Sequence, residues 1–346
     1  MAERKFLNIP LKHAHLLRGP SQLAFDITNR CNFRCIHCFN RSGENEIIKN
    51  ELTDNEVIEF IKDVARLKPL NLCFCGGEPF LREELMYECA KILISHGSEC
   101  SLVTNGYLLN KKRAKMLAKI GIKNIQVSLD GARPETHERL RGVKGSFKRA
   151  IDAIKFLVEE GIKPGVAFSP TKFNIDEFLD VYALCKEVGV KELRVQPLMI
   201  LGRAQLFIEE LVPTHYQYRK LVKTIYKLQM SDNLMELEWG DPVDHLIRFR
   251  NLCQHCVNYV DIRADGKIVV SPYIPIVVGN IRKHKFSEYW DAGLARVWEL
   301  PIVKKLAKEI CSVSDFIKQK VYFEKDIEID IIDNNLIERE VFYVNG

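Results

Sequence analysis

Three cysteines stand close together in TNRCNFRCIHCFNRSG, residues 28–43, as Cys31, Cys35 and Cys38. A disulfide pairs two thiols and leaves one over. A tetrahedral zinc site takes four ligands, or three and a water. Three thiolates on a short loop also suit an iron–sulfur cluster with one iron left open, because the loop gathers them at small entropic cost. A second stretch, CGGEP at 75–79, sets two glycines before a carboxylate. The glycines let the backbone come close to a ligand, and Glu78 offers charge to a cationic amine.

Such residues need a frame, and the chain supplies one. From residue 22 to about 200, short β-rich runs alternate with amphipathic helical stretches. Strands are expected at 23–28, 71–75, 99–104, 124–129, 163–168 and 192–198. Between them lie helices such as DNEVIEFIKDVARL, with Thr53 as N-cap and Glu56 three residues on, and REELMYECAKILISHG, which ends on Gly97. Six strands with five crossovers predict a parallel sheet wrapped by helices, a partial (βα)6 barrel in the α/β class. Six units are too few for a closed eight-fold barrel. In such sheets ligands sit at the carboxyl ends of the strands, which is where the cysteine loop follows the first strand and CGGEP the second.

Residues 1–205 are read as this barrel with a short N-terminal extension, and 206–250 as a helical linker. VDIRADGKIVV then reads as a hairpin turning at Asp265-Gly266, within a small α+β module over 251–320. The alternating stretch 321–346 is expected to form a terminal hairpin.

Composition bounds the function. The chain has 346 residues, 47% hydrophobic and 28% charged, an ordinary globular balance. A net charge of +5 without a block of like charges argues against a nucleic-acid partner. No apolar signal core and no run long enough to span a membrane are found, so a cytoplasmic location with no membrane contact is expected. Eleven cysteines without a secretion signal favour metal or cluster binding for the close groups. Cys73, Cys75, Cys89, Cys100 and Cys185 fall in strands and helices and read as core thiols. Tyr216, Tyr218 and Tyr226 read as a packing face.

The motifs together resemble the radical S-adenosylmethionine (SAM) superfamily: C-x3-C-x2-C followed by Phe39, then Gly-Gly-Glu-Pro, TNG at 104–106, VSLDG at 127–131, HERLRG at 137–142 and GSFKRAIDAI at 145–154. The resemblance covers about residues 20–205. It implies that Cys31, Cys35 and Cys38 hold a 4Fe–4S cluster whose open iron SAM chelates. It also implies that an electron cleaves the sulfonium bond, and that the resulting 5′-deoxyadenosyl radical takes a hydrogen atom from substrate. By the same resemblance Phe39 lies near the adenine, and Gly76, Gly77 and Glu78 bind the methionyl amine. Thr104 and Asn105 face the same pocket, Ser128 and Asp130 suit the ribose and carboxylate, and Val195 and Gln196 line the adenine side.

The C-terminal module is similar to the twitch or SPASM modules of that superfamily, which carry an auxiliary 4Fe–4S cluster. Cys253, Cys256 and Cys311 would be its thiolates, and Tyr273 stands where a cysteine usually follows the proline. The fourth position is then open, or filled by His255, Tyr273 or substrate; zinc at Cys253 and Cys256 is the alternative. The resemblance implies an enzyme acting most often on a ribosomally made peptide, forming a cross-link, thioether, ether or epimer. It also implies a flavodoxin- or ferredoxin-type electron donor. About 20 residues before the first strand are too few for a leader-binding domain, so a separate leader-binding protein is a possible partner. The competing readings are a small-molecule enzyme, in alcohol dehydrogenation or haem, quinone or molybdopterin-type cofactor synthesis, and a non-enzymatic iron–sulfur carrier.

Overall fold

The computed structural model describes residues 19–44, 49–231, 235–241, 243, 246, 259–312, 315 and 326–334. Six strands fall where alternation placed them: β1 Gln22–Thr28, β2 Asn71–Gly76, β3 Glu99–Thr104, β4 Asn124–Ser128, β5 Gly165–Phe168 and β6 Glu192–Val195. They pair in chain order, each parallel to the next. The crossovers carry α1 Asp54–Leu67, α2 Glu83–Ser95, α3 Lys111–Ile120, α4 Pro134–Arg141, α5 Ser146–Glu159 and α6 Phe178–Glu187. Thr53 and Glu56 form the expected capping box at the start of α1. Leu23, Phe25 and Ile27 point to the helices and are fully buried, with Phe25 edge-on to Phe60 of α1. The alternate residues Ala24, Asp26 and Thr28 face the other way, into the bore of the half-barrel.

The sheet is wider than six strands. The stretch expected to be a helical linker contains α7 Ile208–Leu211, α8 His215–Ser231 and a seventh parallel strand, β7 Glu236–Trp239, which pairs with β6. Four residues are too short to show a period beside a long helix. On α8, Tyr216 and Tyr226 are exposed, and only Tyr218 packs, against Trp239.

The expected hairpin forms as β8 Tyr259–Ile262 and β9 Lys267–Ser271, antiparallel about a turn in which Gly266 takes φ +84°. It continues the barrel sheet. β8 lies parallel to β1, β10 Ile274–Asn280 follows β9, and with β11 Ile327–Glu328 at the edge the order is β11-β10-β9-β8-β1-β2-β3-β4-β5-β6-β7. Covering β1 removes an open edge that would pair with other chains. After β10 the chain forms a helix, Phe286–Asp291, that stops at Gly293, φ +94°, and resumes as a 3-10 turn at Leu294–Glu299. Of the expected terminal hairpin, residues 326–334 are described and carry the strand Ile327–Glu328, parallel to β10; residues 321–325 and 335–346 lie outside the described residues.

Candidate active site

The cysteine loop leaves the carboxyl end of β1 and is held at every few residues. Glu51 accepts from Thr28 Oγ1 at 2.8 Å and from Asn29 N at 2.6 Å. The loop closes with Gly43 N donating to Asn29 O at 2.7 Å. Asn32 accepts from Asn105 Nδ2 at 2.9 Å, and buried Phe33 meets Tyr107 edge-on at 5.5 Å. Ile36 N donates to Leu140 O, at the end of α4, at 3.0 Å. The three thiols are thereby kept near enough to act on one another electrostatically, with Cys35 buried and Cys31 and Cys38 partly exposed.

The electrostatics around these thiols call for a cation. Burial, followed by the neighbouring Cys35, Glu78 and Cys38, pushes the Cys31 thiol up to about 12. Burial likewise raises Cys35, against the pull of Arg141. Cys31 and Cys35, which resist ionising alone, become thiolates only on a positive centre, and three thiols rather than four leave one metal position without a protein ligand. This donor set fits a 4Fe–4S cluster.

The Gly-Gly-Glu motif is packed against the root of the cysteine loop. The chain itself makes the close approach. A Cβ at Gly76, φ +119°, would lie 2.2 Å from Thr28 O, and one at Gly77 would lie 2.1 Å from Arg30 O. Gly77 N and Glu78 N donate to Thr28 O and Arg30 O, so the glycines let β2 hold the root of the cysteine loop. The Glu78 carboxylate is fully buried. It accepts from Thr104 Oγ1 at 2.9 Å, Asn105 N at 2.9 Å and Phe80 N at 3.2 Å. Burial outweighs these donors and lifts the carboxyl to about 7. Its donors are protein groups that tie the ends of β2 and β3.

Asp130, expected to meet ribose or carboxylate, is also fully buried and already engaged. Arg141 Nη2 lies 2.6 Å and His37 Nε2 3.1 Å from its Oδ2, and Ser169 N donates to Oδ1 at 2.9 Å. Burial alone would raise its pKa, but Arg141 and His37 hold it below the usual carboxylate range. Arg141 Nη1 also reaches to 3.8 Å from Cys35 Sγ. Asp130 thus joins β4, α4 and the cysteine loop. Ser128 stands at the end of β4 and is half-buried. Val195 is wholly buried on the helix side of β6, so its side chain is directed away from the bore; Gln196 Nε2 donates to Tyr273 OH at 3.2 Å. Phe39 is 41% exposed beside the loop.

Two residues that spacing alone does not reveal clamp this loop. Arg203, 7% exposed, donates from Nη1 to Cys35 O at 2.7 Å and from Nη2 to Ser42 O at 3.0 Å, and pairs through Nε with Glu44 at 2.8 Å. Gly202 passes so close that a Cβ would lie 2.2 Å from Phe39 O. The sequence signal is a lone LGR after β6, with no spacing rule attached.

Cys73 and Cys75, expected to be core thiols, face the bore, and their Sγ atoms lie 3.3 Å apart. Cys89, Cys100 and Cys185 are buried, as expected. Cys253, Cys256 and His255 lie outside the described residues. Cys311 is exposed and follows the helix Pro301–Glu309. Tyr273 is nearly buried and directed toward Gln196, the residue after β6.

A sequence model of the radical SAM superfamily matches residues 25–185, the segment that builds this loop and its supports. Mycofactocin maturase MftC of Mycolicibacterium smegmatis is 30% identical over 295 residues, 82% of this chain and 71% of the relative. The chain belongs to the radical SAM superfamily. As a radical SAM enzyme it uses a 4Fe–4S cluster and SAM. The AdoMet-dependent heme synthase of Methanosarcina barkeri is 27% identical over 298 residues, 80% of this chain and 83% of that protein. Among solved structures, Streptococcus suis SuiB bound to S-adenosylmethionine superposes with a TM-score of 0.64 at 16% identity, covering 91% of this chain and 78% of that one. Native anSMEcpe with bound AdoMet gives 0.62 at 18% identity, covering 90% and 94%. These two likenesses establish the fold. No helix among the described residues is long and apolar enough to cross a membrane.

Proposed function

We propose that this enzyme abstracts a hydrogen atom from a peptide substrate bound in the half-barrel. Bound at the cysteine loop, the cluster and SAM supply the 5′-deoxyadenosyl radical. Cys31, Cys35 and Cys38 hold the cluster; Arg203 and Gly202 fix the loop on one side and Asp130, His37 and Arg141 on the other. Gly76, Gly77, Thr104, Asn105 and Ser128 form the strand-end wall that would receive SAM, with Phe39 and Gln196 as further residues that would line its site. Glu78 acts by holding that wall together, and Val195 contributes backbone only. Cys253, Cys256 and Cys311 hold an auxiliary 4Fe–4S cluster with a non-cysteine fourth ligand, and a flavodoxin- or ferredoxin-type protein supplies electrons.

The lining of the bore carries the peptide reading. Register aligns Asp26 with Cys75 and aligns Ala24 with both Cys73 and Asp261. Ser101 and Gln126 continue this face on β3 and β4. A polar wall with two carboxylates suits a hydrogen-bonding chain. A tetrapyrrole, an apolar plate rimmed by carboxylates, would add further acidic groups beside Asp26 and Asp261, whose burial already disfavours negative charge there. The likeness to MftC over most of the chain points the same way. The likeness to heme synthases over a similar length favours a second reading, a porphyrin substrate.

The test is to reconstitute the protein with iron, sulfide, reductant and SAM, and to follow 5′-deoxyadenosine and product mass with candidate peptides and with iron coproporphyrin. Peptide modification is the expected result. Porphyrin turnover with no peptide product would establish the second reading. Absence of 5′-deoxyadenosine under every condition would defeat both.

A further inference from the structure

β1 and β8 run parallel, with Ala24 beside Asp261, and Asp26 follows two residues on. By alternation both carboxylates share the bore face of neighbouring strands. Asp26 Oδ2 accepts from Asn40 Nδ2 at 3.1 Å, and Asp261 Oδ1 accepts from Tyr259 OH at 3.1 Å. Asp261 Oδ2 is sealed from solvent and accepts no hydrogen bond from any described residue. The nearby cations are turned elsewhere. Arg263 Nη1 pairs with Asp326 at 2.6 Å, and Arg194, which enters the bore from β6, has Nε 3.7 Å from Glu238. Among the described residues, no lysine or arginine pairs with either carboxylate. Burial raises the pKa of both, to about 6 for Asp26 and about 8 for Asp261. A sealed carboxylate oxygen with no donor is costly unless a partner arrives to satisfy it.

We propose that Asp26 and Asp261 form a cation subsite in the bore that takes a primary ammonium group of the substrate. This deepens the peptide reading and rests on it for the identity of the substrate, as a peptide carrying a lysine side chain or free amine. An ammonium is a compact charge with three donors, enough to satisfy Asp261 Oδ2 and still reach Asp26. Asp26 lies two residues before Thr28, the root of the cysteine loop, and its register partner Cys75 precedes Gly76. An amine held there leaves the carbons of its stem facing the strand ends where the radical is made. The side chains beside the two carboxylates on this face, Ala24, Cys73 and Cys75, are small.

The test is isothermal titration of the reconstituted holoenzyme with n-pentylammonium, and with n-pentanol as the uncharged control. The wild type is expected to bind the ammonium in preference to the alcohol. Asp261→Asn and Asp26→Asn should each weaken ammonium binding about ten- to a hundredfold, the loss of one charged hydrogen bond. Near-UV circular dichroism and cluster absorbance check that each variant is folded. No ammonium binding, or equal affinity in the wild type and both folded variants, overturns the subsite. A second arm supplies lysine- and norleucine-centred pentapeptides with SAM and reductant, and reads 5′-deoxyadenosine. Ammonium binding without turnover of any peptide upholds the subsite and defeats the peptide reading. Turnover indifferent to lysine or norleucine upholds the peptide reading and defeats the subsite.

Discussion

Replacing Glu78 by glutamine tests whether this carboxylate is a bolt between strand ends. Its two oxygens accept from Thr104 Oγ1, Asn105 N and Phe80 N at 2.9–3.2 Å, and burial lifts the carboxyl from 4.5 to about 7. A group whose folded pKa lies above its unfolded one holds its proton better in the folded state. Its contribution to stability is therefore whole below the unfolded pKa and lost as pH climbs through the folded one. At about 1.4 kcal/mol per pH unit, the displacement is worth about 3 kcal/mol. Glutamine does not titrate, but its amide must face at least one of those donors, and an unpaired buried donor costs about 1–3 kcal/mol. Urea unfolding of the cofactor-free protein between about pH 5 and about pH 8 measures both effects. The variant should be the less stable protein at the acid end. The wild type should then lose about 2–3 kcal/mol more than the variant across the range, so that the gap closes or inverts. Asp26 and Asp261 titrate in both proteins and cancel in the difference. Parallel curves would show that Glu78 is not held as a buried, proton-retaining carboxyl, and the account of it as a bolt would fail.

Arg203→Met removes two donors to the backbone of the cysteine loop and leaves Glu44 with Arg41 as its remaining arginine partner among the described residues; a loss of about 2–5 kcal/mol in urea unfolding and a lower iron content after reconstitution are expected. Gly202→Ala drives a Cβ into Phe39 O and should reduce bound iron, with a normal iron count showing that the loop has another way to pass. Changing Cys31, Cys35 and Cys38 together to alanine should abolish 5′-deoxyadenosine formation in an anaerobic assay with dithionite. Intact protein should carry about eight irons and Cys253→Ala/Cys256→Ala about four, by colorimetric iron assay; equal counts would remove the auxiliary cluster.

The sequence alone determined the six parallel strands, the αβ crossovers, the Asp265-Gly266 hairpin and the cysteine loop at the end of β1. Each is a matter of local period, turn chemistry or spacing within about 30 residues, and such features are written along the chain. Only the tertiary structure decided what those pieces touch. Gly76 and Gly77 are required by the backbone of Thr28 and Arg30. Glu78 is spent on Thr104 and Asn105, Asp130 on His37 and Arg141, and Gly202-Arg203 crosses about 160 residues of chain to clamp Cys35 and Phe39. Cys73 and Cys75 looked like core thiols because alternation names a face without saying whether helices or a bore lie beyond it. β7 was hidden for a related reason. Four residues carry too little period to compete with the helix before them, and the open edge of β6 is what makes them a strand.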